Sequence, residues 1–403
     1  MSIKNLAVFM GTRPEAIKLA PVVGALRQSS DFKCEVVATG QHRELFQQAA
    51  EQFGFQVDAN LEVMRSNQSL AGLTARLMDA IDGWLEQARP DMALVQGDTT
   101  TVLVASLACF YRRIPVGHVE AGLRTGNLWS PFPEEANRKL ATALVSLHFA
   151  PTASARNALL AEGVLDANIV VTGNTVIDAL LSEVAIQQDN ERISGAIDSE
   201  LALLLGADWG AVPFILITGH RRENFGDGLQ QICEAIETLA RRFPDHRFVY
   251  PVHPNPNVFV HVKRLLGDLS NVRLIEPQGY RSFVRLLSRC RLVLTDSGGV
   301  QEEAPSLGKP VLVMRDTTER PEGVEAGTAI LTGPKASAIV DKTTWLLTDA
   351  IAYRAMASAK NPYGDGLAAE RIVSRIRRHF GIVRTHTVSD VRRRPTLPQG
   401  APL

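Results

Sequence analysis

Short apolar runs alternate with longer amphipathic segments through most of the chain. The runs are rich in Val, Ile and Leu, and the segments between them carry apolar residues at helical spacing. This pattern predicts parallel strands that are buried on both faces and joined by helices. The predicted strands are residues 6–10, 34–38, 92–95, 115–119, 148–150 and 169–172, then 214–218, 248–252, 272–275, 292–294 and 311–314. The fold class is therefore α/β, with two Rossmann-like domains.

A polar and mostly helical stretch separates the two groups of strands, and helical periodicity returns at residues 343–357 and 367–380. We expect a first domain at residues 1–185, a linker region at 186–212, a second domain at 213–360, a C-terminal helix at 361–380 that packs back on the first domain, and a disordered tail at 381–403. The tail is rich in Arg, Thr and Pro and cannot bury enough apolar surface to order itself. Because ligands bind at the carboxyl ends of parallel strands, two such domains facing each other predict a central cleft.

Composition narrows the class of partner. The 403 residues are 45% hydrophobic and 21% charged, with 43 Lys and Arg against 43 Asp and Glu. A net charge of zero provides no overall field toward nucleic acid or anionic lipid, so we expect neither as a partner. The longest apolar segment, residues 102–110, is too short to cross a bilayer. The scattered cysteines predict buried reduced thiols with no disulfide and no structural zinc, and the simplest location is the cytoplasm.

Residues 295–310, TDSGGVQEEAPSLGKP, join a predicted strand to a helix. Ser297 is expected to be the N-cap, while Gly298 and Gly299 allow a ligand to approach the backbone. Free N–H groups at a helix start bind anions, and the following Glu302 and Glu303 could accept hydrogen bonds from a ribose. The segment therefore predicts a nucleotide site, with a capped helix carrying two solvated acids as the alternative.

The first strand runs into GTRPEAIK, where Arg13 and Lys18 lie near the start of a helix. Two cations there oppose the helix dipole and require an anionic partner, which a diphosphate would supply. The alternative is a pair of surface cations flanking Glu15.

Acidic residues occur at three places in the first domain, each at or near a predicted strand end or helix start. Asp98 ends one strand, Glu120 follows the next with His118 at period-two spacing, and Glu134 and Glu135 begin a helix. Asp98 could instead cap its helix, and the two glutamates could serve only to match the helix dipole. Crowded carboxylates acquire raised pKa values that make acid and base roles available near neutral pH.

The second domain begins with TGHRRENFGDG, where His220, Arg221 and Arg222 form a predicted phosphate-binding group. Arg320 lies in a charged loop, residues 316–323, whose members could equally pair with one another. A Gly-x-Gly-x-x-Ala match at residues 364–369 follows no strand, so no hydride chemistry is indicated. No spacing typical of a metal site occurs, and we expect no required metal.

These motifs, in order, resemble one family closely. GTRPEAIKLAP, TGQHRELF, GDTTT, HVEAGLRTG, SPFPEEANR, TGNTVIDALL, TGHRREN, DSGGVQEEAPSLGKPVLVMRDTTERPE and NPYGDG are similar to the non-hydrolysing UDP-N-acetylglucosamine 2-epimerases of bacteria, over about residues 3–380. The resemblance implies a GT-B fold, no cofactor, a homodimer and the interconversion of UDP-GlcNAc and UDP-ManNAc. The implied route eliminates UDP to give 2-acetamidoglucal and then adds UDP back.

The resemblance also implies roles for particular residues. The expected catalytic residues are Asp98, Glu120, Glu134 and His220. The expected UDP-binding residues are Arg13, Lys18, Ser297, Gly298, Gly299, Glu303, Arg222, Tyr280 and Arg320. A second UDP-GlcNAc, bound as an activator, is expected at Gln41, His42, Gln68 and Arg221. Glu44 and Gly323 depart from residues common in the family, which bears most on regulation.

Four alternatives remain open from the residues alone. The enzyme could act on a related UDP-2-acetamido sugar, such as a diacetamido uronic acid, or belong to the hydrolysing branch. It could also be a GT-B glycosyltransferase, or a silent UDP-sugar-binding regulator. Deuterium from solvent at C2 without any acceptor would separate epimerisation from glycosyl transfer.

Overall fold

The computed structural model describes residues 2–40, 49–65, 68–219, 226–252 and 255–382. Within these residues the chain divides into two compact units, each built on its own parallel sheet. The first unit comprises the described parts of Met1–Ala179 and Tyr363–Asp390, and the second comprises the described part of Leu180–Pro362. The chain therefore leaves the first unit after Ala179 and returns to it at Tyr363.

The first unit contains a seven-stranded parallel sheet in the order β3-β2-β1-β4-β5-β6-β7. Its strands are β1 Lys4–Met10, β2 Phe32–Ala38, β3 Ala59–Asn60, β4 Met92–Gln96, β5 Val116–Val119, β6 Leu147–Ala150 and β7 Ile169–Val171. The strand order reverses between β1 and β4, which is where doubly wound sheets open a crevice for ligands. Arg13 begins the helix that follows β1, and Asp98 lies in the turn that follows β4.

The second unit repeats this plan with six parallel strands in the order β10-β9-β8-β11-β12-β13. Its strands are β8 Phe214–Thr218, β9 Arg247–Pro251, β10 Val272–Ile275, β11 Leu292–Thr295, β12 Val311–Val313 and β13 Ala329–Leu331. Here the order reverses between β8 and β11. Ser297 lies two residues after the end of β11, at the corresponding edge of the second sheet.

Helices cover both faces of each sheet, which is why the central strands are continuous apolar runs. In the first unit they are Arg13–Arg27, Leu70–Ala88, Thr100–Tyr111, Glu134–Thr142, Ala153–Ala161 and Ala368–His379. Thr175–Asp189 begins in the first unit and ends in the second. The second unit adds Glu191–Leu205, Asp227–Arg242, Pro256–Leu266, Tyr280–Arg289, Gly298–Glu303, Pro321–Glu325, Ala336–Thr348 and Ala350–Ala357. Short 3₁₀ turns occur at Asp166–Asn168 and Ala304–Leu307.

The α/β class and the two parallel sheets are confirmed, and all predicted strands are present within one or two residues of their expected ends. The short edge strands β3 and β13 were not predicted, because two or three residues carry too little pattern. The helical periodicity at residues 343–357 corresponds to two helices, Ala336–Thr348 and Ala350–Ala357. The break lies at Asp349, whose carboxylate accepts the N–H groups of Ile351 and Ala352 at 2.9 and 3.0 Å and so caps a new helix.

The last described helix, Ala368–His379, belongs to the first unit and packs against Arg13–Arg27. The buried carboxylate of Asp178 accepts the N–H groups of Ala368 and Ala369 at 3.2 and 2.8 Å, at the start of that helix. Arg377 forms an ion pair of 2.8 Å with Asp31 at its other end. Nearly all of the predicted tail, from residue 383 onward, lies outside the described residues.

Candidate functional site

The turn after β1 is organised by a buried carboxylate. Thr12 caps the helix Arg13–Arg27, and Glu15 completes a capping box. The Glu15 carboxylate accepts the N–H groups of Gly11 and Thr12 at 2.7 and 2.6 Å, and the Thr99 hydroxyl, from the turn after β4, at 2.6 Å. Burial raises the pKa of Glu15, and these donors oppose the rise. Glu15 therefore joins the two turns at the switch point of the first sheet, and Arg13 lies half-buried beside it.

Asp98 lies in the turn after β4, and it does not cap the following helix. Thr99 is the N-cap, with its hydroxyl oxygen accepting Val102 N–H at 3.4 Å. The half-buried Asp98 carboxylate instead accepts two hydrogen bonds from Arg138, Nε at 3.0 Å and Nη2 at 2.6 Å, both on Oδ2. The alternative prediction, that Asp98 serves only as the N-cap of the following helix, is therefore wrong.

Glu120 follows β5 with a φ of +66°, a left-handed conformation that is uncommon for a residue with a side chain. Its buried carboxylate receives Lys18 Nζ at 2.6 and 2.8 Å and Asn174 Nδ2 at 2.8 Å, together with Gln96 Nε2. These donors compensate for the desolvation of the charge. Lys18, expected at a diphosphate, is thus in contact with one of the expected catalytic carboxylates.

His118 lies on β5, two residues before Glu120, but the regular alternation of the strand ends at Val119. The His118 ring is buried, and its Nε2 contacts the carbonyl oxygen of Gly97 at 2.7 Å. Burial lowers the pKa of His118 below the ordinary value. A buried neutral ring of this kind is suited to supporting the turn at Gly97 rather than to exchanging protons with a ligand.

Glu134 and Glu135 begin the helix Glu134–Thr142, and they have different surroundings. Glu134 is half-buried, and no described residue makes a hydrogen bond or ion pair with its carboxylate. Glu135 is fully buried and accepts Thr125 N–H at 3.2 Å, Gly126 N–H at 3.1 Å and Arg138 Nη1 at 2.7 Å. Burial alone would raise the pKa of Glu135, but these donors together hold it below the ordinary value. Glu135 is therefore a structural anchor, whereas the side chain of Glu134 is available.

In the second unit, Ser297 occupies the N-cap position of the helix Gly298–Glu303, but its side chain makes no capping hydrogen bond. The expectation that its hydroxyl caps the helix is wrong. Its backbone N–H donates to the Thr295 hydroxyl at 2.9 Å, so the strand end sets the turn. Gly299 is exposed, and a Cβ built on it would approach only Ser297 Oγ, at 4.0 Å. The backbone of this turn is open on that side.

Glu302 and Glu303 are both buried, so the alternative of two solvated acids is wrong. Glu303 Oε1 accepts the Tyr280 hydroxyl at 3.0 Å, and the Glu302 carboxylate pairs with Arg320. Tyr280 and Arg320, both expected to bind UDP, therefore contact acids of the helix Gly298–Glu303, and one of these acids is the expected ribose ligand Glu303. In the same region Arg315 pairs with Glu319 at 3.1 Å, as a self-paired loop would require.

Several expected residues lie outside the described part of the chain: His220, Arg221, Arg222, Gln41 and His42. Gln68 is described, and its side-chain oxygen accepts the backbone N–H of Arg65 at 3.3 Å and a hydrogen bond from Arg76. The Gly-x-Gly-x-x-Ala match is a loop leading into the helix Ala368–His379, with no strand before it.

Among the described residues, no group of three or more His, Cys, Asp or Glu side chains could hold a metal ion. The cysteines, Cys34, Cys109, Cys233 and Cys290, are buried free thiols, as predicted. No helix of sufficient length and hydrophobicity to span a bilayer occurs within the described ranges.

Sequence reasoning missed the residues that hold the carboxylates. Glu15, Gln96, Arg138 and Asn174 all contact an expected catalytic residue or its turn. A signal existed for Glu15, since Thr followed three residues later by Glu is the sequence signature of a capping box. Gln96 ends β4 and Asn174 follows β7, but nothing in their spacing indicates that they meet at Glu120.

Comparison with known proteins identifies the family. A sequence model described as UDP-N-acetylglucosamine 2-epimerase matches residues 24–377. The UDP-N-acetylglucosamine 2-epimerase of Escherichia coli K12 is 52% identical over 375 residues, which cover 93% of this chain and 98% of that protein. The Yersinia pestis protein of the same name is 52% identical over 377 residues, covering 94% and 99%.

Solved structures that resemble this fold belong to the same family as these relatives. The crystal structure of UDP-GlcNAc 2-epimerase from Neisseria meningitidis, bound to UDP-GlcNAc, has a TM-score of 0.85 and 47% identity, covering 93% of this chain and 100% of that one. The fold is accordingly of the GT-B type that the resemblance implied. With matching motifs, two Rossmann-like sheets and near-complete coverage of the relatives, the chain belongs to the UDP-N-acetylglucosamine 2-epimerase family.

Proposed function

We propose that this enzyme interconverts UDP-GlcNAc and UDP-ManNAc by removing UDP and adding it back. The observation that carries the proposal is the concentration of carboxylates at the carboxyl edge of the first sheet. Asp98 and Glu120 follow neighbouring strands there, and Asn137 on the helix of Glu134 donates to the Asp98 carbonyl oxygen at 2.8 Å. Relatives of the same family are named UDP-N-acetylglucosamine 2-epimerase, and one has been crystallised with UDP-GlcNAc.

Carboxylates suit this chemistry because the hydrogen at C2 is not adjacent to a carbonyl. Direct removal would leave an unstabilised carbanion, so the leaving group must depart from C1. The C1–O bond breaks with its electrons going to UDP, the C2 proton goes to a base, and a C1=C2 double bond forms. Return of a proton on the opposite face of C2, with attack of UDP on C1, completes the inversion. The protein must supply a base, an acid and a firm hold on the diphosphate.

The three expected catalytic carboxylates differ in what they could offer. Glu120 is buried and receives donors on both oxygens, including Lys18. Asp98 receives its two side-chain hydrogen bonds on one oxygen, and Glu134 receives none from a described residue. We infer that Asp98 and Glu134 are better placed to exchange protons with the sugar, whereas Glu120 holds Lys18 and its turn in place.

The second unit would bind the nucleotide. The open backbone at Gly299 supports a phosphate at the turn of Ser297, Gly298 and Gly299, and the buried Glu303 carboxylate, already holding Tyr280, supports ribose binding. Arg320 would act through its ion pair with Glu302, which lies on the helix Gly298–Glu303. His220 and Arg222, which follow β8 in the sequence, would contact the diphosphate. Arg13 and Lys18, from the first unit, would stabilise UDP as it leaves.

Further parts of the proposal rest on the family resemblance. They are a homodimer and an activating second UDP-GlcNAc at Gln41, His42, Gln68 and Arg221. A cytoplasmic location is proposed from the pattern of the cysteines and of the apolar segments. The domain limits, with residues 1–185 for catalysis and 213–360 for UDP, belong to the same proposal.

The test is an NMR assay of purified protein with UDP-GlcNAc in deuterated water and no acceptor. We expect UDP-ManNAc to appear and deuterium to accumulate at C2 of both sugars. Free ManNAc with UDP would instead indicate the hydrolysing reaction. Release of UDP only when an acceptor is added would indicate a glycosyltransferase. Tight UDP binding with no turnover would overturn the proposal in favour of a regulator.

A further inference from the structure

Arg138 lies on the helix Glu134–Thr142 and connects two carboxylates that differ in burial. Its Nε and Nη2 donate to Asp98 Oδ2 at 3.0 and 2.6 Å, and its Nη1 donates to Glu135 at 2.7 Å. A guanidinium presents its donors in a rigid fork, so these contacts fix the plane of the group. Most of the Arg138 side chain is buried, with 13% of its surface exposed.

Glu135 is the fixed end of this arrangement. It is fully buried, and the backbone N–H groups of Thr125 and Gly126 donate to its two oxygens at 3.2 and 3.1 Å. Neither the carboxylate nor the fork of Arg138 can rotate without breaking charge-assisted hydrogen bonds. Asn137 adds a second hold on the same target, donating to the Asp98 carbonyl oxygen at 2.8 Å.

The geometry points to Arg138 as a positioning residue for Asp98. Because both of its hydrogen bonds fall on Oδ2, we infer that Oδ1 is the Asp98 atom that exchanges a proton with the sugar. No hydrogen bond from a described side chain reaches Oδ1. This inference rests on the proposed epimerisation, and it adds which atom reacts and which residue orients it. The same short helix then supplies Glu134 and aligns Asp98.

The test begins with Arg138→Gln and Arg138→Lys, assayed for conversion of UDP-GlcNAc and for UDP affinity by calorimetry. Displacing a reacting group by about 1 Å can cost about 100-fold in rate, so we expect kcat to fall by that order. KM and the affinity for UDP should stay within about threefold, because Arg138 is not proposed to touch the nucleotide. In Arg138→Lys the ammonium group keeps the positive charge but cannot make the forked contact. The kcat of this variant should therefore lie between those of Arg138→Gln and the wild type.

Two readouts separate positioning from a loss of folding. With UDP-GlcNAc deuterated at C2, the isotope effect on kcat should increase in the Arg138 variants, since proton transfer becomes slower relative to other steps. In the double variant Asp98→Asn/Arg138→Gln, turnover should fall little below that of Asp98→Asn alone, because Arg138 is proposed to act through Asp98. The matched control is Arg112→Gln, which breaks the pair with Asp82 on the same unit, where Arg112 Nη2 lies 2.7 Å from Oδ2. It should leave kcat unchanged.

Multiplicative losses in the double variant would overturn the inference, and so would a kcat of Arg138→Gln within threefold of the wild type. A parallel loss of UDP affinity would also overturn it, by indicating a direct contact with the nucleotide. If Arg138→Gln does not fold, the Lys variant and the isotope effect still decide the question. A wild-type protein without epimerase activity would instead refute the proposed function itself.

Discussion

The two units share one topology and differ in the chemistry at the carboxyl edges of their sheets. In each sheet the first strand in the sequence, β1 or β8, lies inside the sheet, and the strand order reverses between it and the neighbouring β4 or β11. In the first unit this edge carries buried or half-buried acids held by donors from distant parts of the chain, such as Glu120 with Lys18 and Asn174. In the second unit the corresponding edge carries an open glycine turn and a short helix whose acids hold Tyr280 and Arg320. The strands supply the edge, and the loops determine whether it is suited to proton transfer or to holding a nucleotide.

The largest expected effect is on turnover, from removing charge at the edge of the first sheet. Asp98→Asn or Glu134→Gln should each lower kcat by roughly 10²- to 10⁴-fold, the usual contribution of acid and base catalysis. Glu120→Gln should also lower kcat, because it removes the charge that holds Lys18 in place. The measurement is the rate of UDP-ManNAc formation by NMR, with circular dichroism to check folding. Asp82→Asn, on the same unit, is the matched control and should retain full activity. A variant whose rate is unchanged would remove that residue from the mechanism.

The second expected effect concerns acid stability, because the first sheet also buries histidines on its neighbouring strands β5 and β6. Burial, together with the nearby His118 and Arg124, lowers the pKa of His148 to about 4. The folded state thus favours neutral His148, and this contribution is fully present above pH 6.5 and is lost as the pH falls from 6.5 to about 4. The loss should be about 2 kcal/mol between pH 7 and 4.5.

The measurement is the free energy of unfolding in urea as a function of pH, for wild type and for His148→Phe. The variant should lose about 2 kcal/mol less over that interval, because Phe does not titrate. Parallel curves for the two proteins would show that His148 does not titrate in the way proposed.

The third expected effect tests whether the first unit also holds the leaving group. Arg13→Ala should weaken UDP binding and lower turnover together, each by roughly 10- to 100-fold, as expected for one charge-assisted contact to a phosphate. Arg27→Ala, at the other end of the same helix, breaks an exposed pair with Asp58 and should change neither. Calorimetry with UDP measures the first quantity and the NMR assay the second. Loss of turnover with unchanged UDP affinity would give Arg13 a role in the chemical step alone.

The smallest expected effect lies in the second unit. Tyr280→Phe removes the hydroxyl that donates to Glu303, and a neutral donor to a buried charge contributes about 1.5 kcal/mol. UDP affinity should fall by roughly 10-fold, while kcat at saturating substrate stays within about twofold. Tyr353→Phe is the control, since its hydroxyl donates at 2.8 Å to the Arg291 carbonyl oxygen of the same unit. A large drop in kcat from Tyr280→Phe would contradict the division of labour between the two units.

The strands were predictable because a strand covered on both faces is a continuous apolar run, and the runs at residues 6–10 and 292–294 are too short for a helix. The position of Asp98 at a strand end followed from that pattern alone. Its partner Arg138 did not, because contacts between residues 40 positions apart depend on how the helix packs. The left-handed backbone of Glu120 was also beyond local pattern, since only Gly, Asn and Asp commonly indicate such a conformation. The prediction that the Ser297 hydroxyl caps its helix failed although the local pattern favoured it. The side-chain oxygen that accepts a hydrogen bond in this turn belongs to Thr295, two residues earlier.

The return of the chain at Tyr363 has a consequence for biosynthesis. The N-terminal unit lacks one of its own helices until nearly the whole polypeptide has been made, since the carboxylates of Asp178 and Asp31 both bind residues of Ala368–His379. A ribosome-bound chain that ends before this helix would expose the apolar surface of Arg13–Arg27 that the helix covers. The described part of the second unit lies within one continuous segment of the chain, Leu180–Pro362, and can be completed in an uninterrupted stretch of translation. The first unit, which carries Asp98, Glu120 and Glu134, can be completed only after the second unit has been translated.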